Sequence, residues 1–509
     1  MKDIAEDYFN YLARRYPVMC ASDEFYFLPR AKSALNFLDV LDSFNKEKIQ
    51  QGIADVSRIR SALDQIDVSR GGLEDQIDAA LLKQSMATFL NEFSLIKSWQ
   101  VDPSLYLKVI LFGIIQAQNK FKFLKPDLRP RIARIPRLLE EARANLNKVP
   151  QAHLDAAREL VEVILTQFKK TFPKNKPVVL ALAALGDFSK FLRRFPATGA
   201  YVRDQAVLRL ILRNSFSYQR SLREIFDIAW SEYHRTLKQL KGLALEIDRR
   251  KSWQKLLEQY RLKQKREPAL VRLYAGEVEK LRRFLQQKKA LSIPVAQSIL
   301  VGATPDFLRP VRASASYSTA LTSHPKERPH FYITPSAFND IHIEYLFVTA
   351  HETYPGHHLL DLRRRKNKNT IRQQIESPLF YEGWASYAER LIDELGYIRD
   401  PLQRLIGLRR QAWRAVRAML DVGIRTNQLS LSQAQKMLEG LGYQPEAVRM
   451  MLRHYVLTVG YQLCYTTGKF EFERLNRQFA EKLGLKRFHD LILSSGQIPF
   501  SLLERRLKA

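Results

Sequence analysis

Residues 351–358 read His-Glu-Thr-Tyr-Pro-Gly-His-His, and residues 382–387 read Glu-Gly-Trp-Ala-Ser-Tyr. A His-Glu pair on a helix, a second histidine close behind and a later helical glutamate are the parts of a zinc hydrolase site. The spacing also dictates the local fold. In a regular α-helix, residues i and i+4 share a face about 6 Å apart. Two imidazoles can then meet one ion at Zn–N distances of about 2.0–2.1 Å. Here position i+4 from His351 is Pro355. Proline removes the amide that would bond the carbonyl of His351, and its ring clashes there. Gly356 can take conformations closed to other residues. A helix carrying His351 is therefore expected to break or bulge at 354–356.

That break bears on the second ligand. On an unbroken helix His358, at i+7, faces the same way as His351 but lies about 10.5 Å further along the axis. If Pro355 and Gly356 loop out, His357 falls where i+4 would have been. His357 is favoured, His358 is the alternative, and the unused one becomes a substrate contact or a support for the ligands. The third ligand should be an acid on a following helix. Glu382 fits, and its small neighbours Gly383 and Ala385 suggest close packing against the helix of His351. Glu389 lies on the same face and could orient a histidine ligand; Glu376 is a weaker candidate for the metal. His324, His330, His342, His351, His357 and His358 fall within 35 residues, where chance would put fewer than one.

With 509 residues, the chain can bury a large core and hold two or three domain-sized units. Cys20 and Cys464 form no metal-ligand spacing and suggest no disulfide framework, which fits a reducing compartment. Met1 to Asp7 shows no basic segment followed by an apolar one. The best apolar runs, 178–185 and 109–115, fall short of the roughly 20 residues that a membrane helix needs. These readings predict a cytoplasmic protein without a membrane span. The net charge is +29, spread over runs such as Arg249-Arg250-Lys251, Lys288-Lys289, Arg363 to Lys366 and Arg409-Arg410. Most sit in helical patterns with acidic neighbours and read as a solvated basic surface. The sequence shows no zinc finger, RNP motif or Gly-rich phosphate loop to support nucleic-acid binding.

Residues 1–290 read as helices joined by short breaks, for example 153–172 and 274–289. Residues 291–335 gain β-formers, and Phe331 to Thr334 is a strand candidate. Pro329 and Pro335 flank it, which predicts an edge strand. Helical signal returns at Asp340 and continues through 378–395, 400–420, 431–441, 445–465 and 471–483. The expected fold is mainly α: a large multi-helix protein with a small β element beside the helix of His351. An N-terminal helical region, 1–290, and a site-bearing region, 291–509, would form one integrated unit.

The segment from Glu382 to Tyr387 resembles the third-ligand helix of gluzincin aminopeptidases. Across its length the chain resembles the large bacterial family called domain of unknown function 885, placed among zincin-like metallopeptidases. The hallmark of that family, His-Glu-x-x-Pro-Gly-His, is matched by residues 351–357. Tyr8 to Met19 is similar to its opening helix, and Arg417 to Gln435, with Asp421, to a later block. Val459 to Gly468 is similar to a Pro-Gly-Gln-Ala-Leu-Ser-Tyr-x-x-Gly segment, with Val459 and Tyr461 replacing the Pro and Gln. Arg425 stands where a histidine is expected. The resemblance implies a zinc-dependent hydrolase of peptide (amide) bonds. His351, His357 and Glu382 would hold Zn²⁺, and Glu352 would be the general base. Tyr465 would donate to the oxyanion, with His454 as runner-up. Strand 330–334, carrying His330 and Tyr332, would lie beside an extended peptide. His358, Glu389 and Asp421 would serve as supporting or substrate-contacting groups. The run Arg363 to Lys368 could recruit an acidic peptide, or be a plain exposed basic loop. The rival classes are a helical binding protein with a structural metal site and a basic nucleic-acid-binding protein.

Overall fold

The computed structural model describes residues 1–68, 70–199, 204–260, 267–296, 298–322, 324–334 and 343–509. Asp340, where the helical signal resumes, and His342 lie outside them. The fold is mainly α, with helices from Lys2 to Lys508 and a three-stranded sheet among the described residues. One continuous apolar core runs from Ala5 to Leu507. It is tied across residue 290 by long-range pairs: Lys469 with Glu232, Arg220 with Glu471 (2.8 Å) and Arg30 with Glu376 (2.8 Å).

The strands are β1 (Leu300–Ala303), β2 (Ala315–Ser318) and β3 (His330–Ile333), in the order β1-β3-β2. β3 runs parallel to β1 and antiparallel to β2, with Ser316 opposite Tyr332 and Leu300 opposite His330. β3 is thus the central strand, not the edge that its flanking prolines suggested. Pro329 lies before the ladder and contributes only its carbonyl, which accepts from Leu300 N (2.9 Å). The sheet alternates as a half-covered sheet should. Phe331 and Ile333 are buried, and Phe331 meets Tyr274 of helix Glu267–Lys288 edge-on at 5.6 Å. His330 and Tyr332 lie on the other, partly exposed face.

Five further helices position the site. The motif helix is Tyr345–Glu352 and the doublet helix is His357–Arg365. The glutamate helix, Pro378–Glu394, opens with Pro at its first turn, where the missing N–H costs nothing. It packs along the tyrosine helix, Cys464–Leu483. The arginine helix, Pro401–Thr426, is capped by Asp400 and lies against helix Leu222–Ile247. Residues 445–465 were expected to be one helix. They form a helix only over Pro445–Tyr455, followed by turns, and the tyrosine helix starts at Cys464. Gly460 takes φ +78°, a conformation that a helix cannot contain.

Candidate metal centre

The motif helix ends where proline forbids its continuation. Thr353 N still bonds Thr349 O (2.9 Å), but Gly356 N reaches back to Ala350 O (3.0 Å) and Leu359 N to Thr353 O (3.3 Å). A β-carbon on Gly356 would stand 1.9 Å from the carbonyl oxygen of His351, so only glycine fits the return. The doublet helix then starts at His357 and turns its imidazole back toward His351.

The two rings meet at a centroid distance of 4.6 Å. Glu382 Oε2 lies 3.3 Å from His351 Nε2 and 3.5 Å from His357 Nε2. It is buried and has no hydrogen-bond partner, and His357 Nδ1 is likewise unpartnered. The ligand atoms of His351, Glu352 and His357 all lie within 4.8 Å of one another. Polar atoms that converge without bonding each other are what a cation site looks like from the protein side. Two imidazoles and nearby carboxylates are donors that suit zinc.

The two glutamates differ in surroundings. Glu382 Oε1 accepts from the hydroxyls of Tyr461 (2.5 Å) and Tyr465 (3.0 Å), which leaves Oε2 facing the imidazoles. Burial opposes its charge, yet the adjoining imidazoles of His351 and His357 hold its carboxyl well below the usual range. Glu352 is partly exposed and accepts from the backbone N–H of Tyr317 on β2 (2.8 Å). Burial pushes its carboxyl up to about 7, against the pull of His357 and with the help of the Glu382 charge. This contrast supports Glu382 as the ligand and Glu352 as the group that exchanges protons.

Glu389 stands behind His351, with Oε1 3.1 Å from Nδ1. Burial opposes its ionisation, and Arg410 and Arg414 overcome that and hold it well below the usual range. Arg414 Nη2 donates to Oε1 (2.7 Å), while Arg410 spans both oxygens (3.1 and 3.3 Å) and also pairs with Glu344. An ionised Glu389 accepts a hydrogen bond from Nδ1–H of His351, which leaves the Nε2 lone pair toward Glu382. Arg414 Nη2 is also 3.1 Å from Nδ1, but a protonated nitrogen cannot accept, so its N–H goes to Glu389.

Asp421 supports the other side. It accepts from Gly460 N (3.1 Å), Leu463 N (3.2 Å) and Arg425 Nη1 (2.9 Å), and so pins the turn that carries Tyr461. Arg425, expected as histidine, is its buried counter-ion. Tyr465 lies under Arg417, whose guanidinium is 4.0 Å from the ring centre. Gly383 has a different role from the one expected. It meets Gly468 of the tyrosine helix in backbone contact, rather than the helix of His351.

Other candidates lie elsewhere. His358 turns away from the cluster, with Nε2 3.0 Å from Ser298 Oγ, and burial pushes it down to about 3. His330 and Tyr332 stack on each other at 5.2 Å on the open face of β3. His324 stacks on Phe123 at 4.3 Å. His454 is exposed in the last turn of its helix and touches no member of the cluster among the described contacts. Its neighbour Tyr455 faces inward instead and accepts from Trp413 Nε1 (2.9 Å). Glu376 is held by Arg30 and Arg364. The basic runs are not all solvated either. Arg409, Arg410 and Arg364 are buried and paired with acids. Sequence reading missed Tyr461, Arg410, Arg414 and Arg417. The signal for the three arginines was one helix face bearing 410, 414, 417, 421 and 425 at spacings of three and four.

The arrangement defines a mainly α-helical protein in which five helices and the edge strand of a small sheet bring two histidines and three glutamates together. The chain belongs to the family described as bacterial protein of unknown function (DUF885), whose model matches residues 29–507. The opening helix that resembled the family lies before that stretch. A solved structure from Shewanella oneidensis, provisionally described as a lipoprotein of unknown function, shares 17% identity at a TM-score of 0.73, covering 93% of this chain and 94% of its own. Another from Colwellia psychrerythraea, also provisionally described as a lipoprotein, shares 16% identity at a TM-score of 0.78, covering 99% and 98%. No curated protein matches. The lipoprotein descriptions overturn the cytoplasmic placement. Its cysteine argument also fails physically: Cys20 and Cys464 are both fully buried, so neither reports the redox state outside. Among the described residues no helix is long and apolar enough to cross a membrane.

Proposed function

We propose that this chain is a zinc-dependent hydrolase of peptide bonds, of the zincin-like metallopeptidase type. The observation that carries the reading is the convergence of His351 and His357 Nε2 on the unpartnered Glu382 Oε2, with Glu352 beside them. His351, His357 and Glu382 would hold the ion, and Zn²⁺ bound there would supply Lewis acidity toward a peptide carbonyl and toward water.

The chain's own residues do the rest. The Tyr317 amide fixes one oxygen of Glu352 and leaves the other to accept a proton from water and return it to the leaving amine. Tyr461 and Tyr465 keep Glu382 single-pronged. To act as oxyanion donor, Tyr465 must release Glu382. β2 takes the substrate role expected of β3. Ser314 O bonds Thr334 N (2.6 Å), so Ser314 and Ser316 face β3, while Ala315 and Tyr317 turn their main-chain groups toward the motif helix. An extended peptide would pair with Ala315 there. The lipoprotein descriptions of the neighbours support work outside the cytoplasm.

The test is metal analysis of the purified protein with a peptide-library digest of wild type and Glu352→Gln. Both forms should hold metal, and the variant should lose about 10²–10⁴-fold in turnover. Full activity in the variant, or no metal in either, sinks the proposal.

A further inference from the structure

Two basic pairs and a single arginine, far apart in sequence, converge on one cavity that no residue of the histidine–glutamate cluster lines. The cavity measures about 820 Å³ and lies between the end of helix Glu267–Lys288, the doublet helix and helix Leu485–Ser494. Lys288, Lys289, Arg363, Lys486 and Arg487 line it against one carboxylate, Asp490. That carboxylate is already engaged. It pairs with Lys486 (2.6 Å), accepts from Ser292 N (2.8 Å) and lies 3.7 Å from Arg363. Lys288, Lys289 and Arg487 are exposed and stand in excess of the local acid. The cavity also holds the start of helix Leu485–Ser494. Gly484 precedes it at φ +78° and offers no side-chain cap, and Gly484, Leu485, Lys486 and Arg487, at the uncapped end, line the same space.

We infer that this cavity binds a phosphate-bearing anion. Five cations around one neutralised carboxylate cost self-repulsion unless an anion joins them. Hydrated lysine ammoniums suit a phosphate reached from an open mouth, and the Arg363 fork and helix amides add directional donors. A carboxylate of an acidic peptide would satisfy one or two of these cations; a phosphate, with its three acceptor oxygens and greater charge, satisfies more. The site is independent of the metal centre, since none of its lining residues belongs to that cluster. Two sources supply this chemistry: a free phosphate compound, and the headgroup of an anionic phospholipid.

Two binding measurements on the full chain separate them. One is calorimetric titration with pyrophosphate. The other is co-sedimentation with phosphatidylglycerol vesicles, against phosphatidylcholine vesicles. Each is run on wild type, on Lys486→Gln/Arg487→Gln, on Lys288→Gln/Lys289→Gln, and on the exposed remote pair Lys169→Gln/Lys170→Gln. Removing two cations from the cavity should weaken binding about 30-fold, at about fivefold each. The remote pair should change it by less than about twofold. A cavity-specific loss with pyrophosphate assigns a free phosphate ligand, and one confined to vesicles assigns the headgroup. Equal losses from cavity and remote pairs, or no binding in either assay, overturn the inference.

Discussion

Gly383→Ala should loosen the metal site without touching a ligand. A β-carbon at 383 would stand 2.5 Å from Gly468 Cα and 2.6 Å from its carbonyl carbon, both backbone atoms that cannot swing aside. Carbon atoms rest at about 3.5–4.0 Å, so the glutamate and tyrosine helices must part by about 1 Å. The Tyr465–Glu382 hydrogen bond, now 3.0 Å, then stretches beyond bonding range. The overpacking itself costs about 1–3 kcal/mol. Losing the hydroxyl that holds a ligand carboxylate should cost about 10–100-fold in metal affinity. The assay is zinc affinity by chelator competition, with thermal melts alongside. Tyr465→Phe separates the two effects, because it removes the hydroxyl and leaves the crossing intact. Gly468→Ala should be at least as damaging, since its β-carbon would lie 2.2 Å from the carbonyl oxygen of Leu379. Wild-type affinity and melting in Gly383→Ala would refute the claim that this crossing sets the position of Glu382.

His357→Ala should abolish tight zinc binding, whereas His358→Asn should leave zinc affinity within severalfold; calorimetric titration of metal-stripped protein checks both. Asp42 is buried, accepts from Val18 N and Met19 N, and burial raises its carboxyl to about 7. Its folded pKa lies above the unfolded value of about 4, so the stability it contributes is full below pH 4 and lost as pH rises through 7, by up to about 4 kcal/mol. The stability of wild type relative to Asp42→Asn should therefore fall as pH rises from about 4 to about 7, and a constant gap between their melts over that range would refute the assignment.

The mainly helical fold and the break at Pro355-Gly356 were legible because each rests on local rules. Proline deletes one amide, and the return path admits only glycine at 356. The strand 330–333 was also legible, but its place in the sheet was not. Flanking prolines restrict an edge only when they fall inside the ladder, and Pro329 does not. The helix end at Tyr455 was hidden because a lone glycine is weak punctuation. What forces the turn is Asp421, 39 residues before Gly460. Arg410 read as surface because long cations usually are, and Arg414 was not singled out. Only the partners Glu344, just before the motif helix, and Glu389, on the glutamate helix, make their burial tolerable.

Those partners give the arginine helix a role that its lack of ligands conceals. At one end Arg410 and Arg414 hold Glu389 ionised behind His351, and Glu389 in turn selects the tautomer of that imidazole. At the other end Asp421 pins the Gly460–Leu463 turn, and so places Tyr461 on Glu382 Oε1. Arg417 lies between them, bonded to Gln462 (2.9 and 2.7 Å) and stacked over the ring of Tyr465. One rigid rod thus sets His351 and Glu382 from behind. Removing one partner of such a buried pair leaves an unpaired charge, at a cost of about 3–5 kcal/mol, so the rod cannot slide without breaking several pairs together. Part of the chain's large positive charge is therefore interior and already neutralised. The charge left free to attract anything must be sought where cations outnumber acids, as they do around Lys288, Lys289 and Arg487.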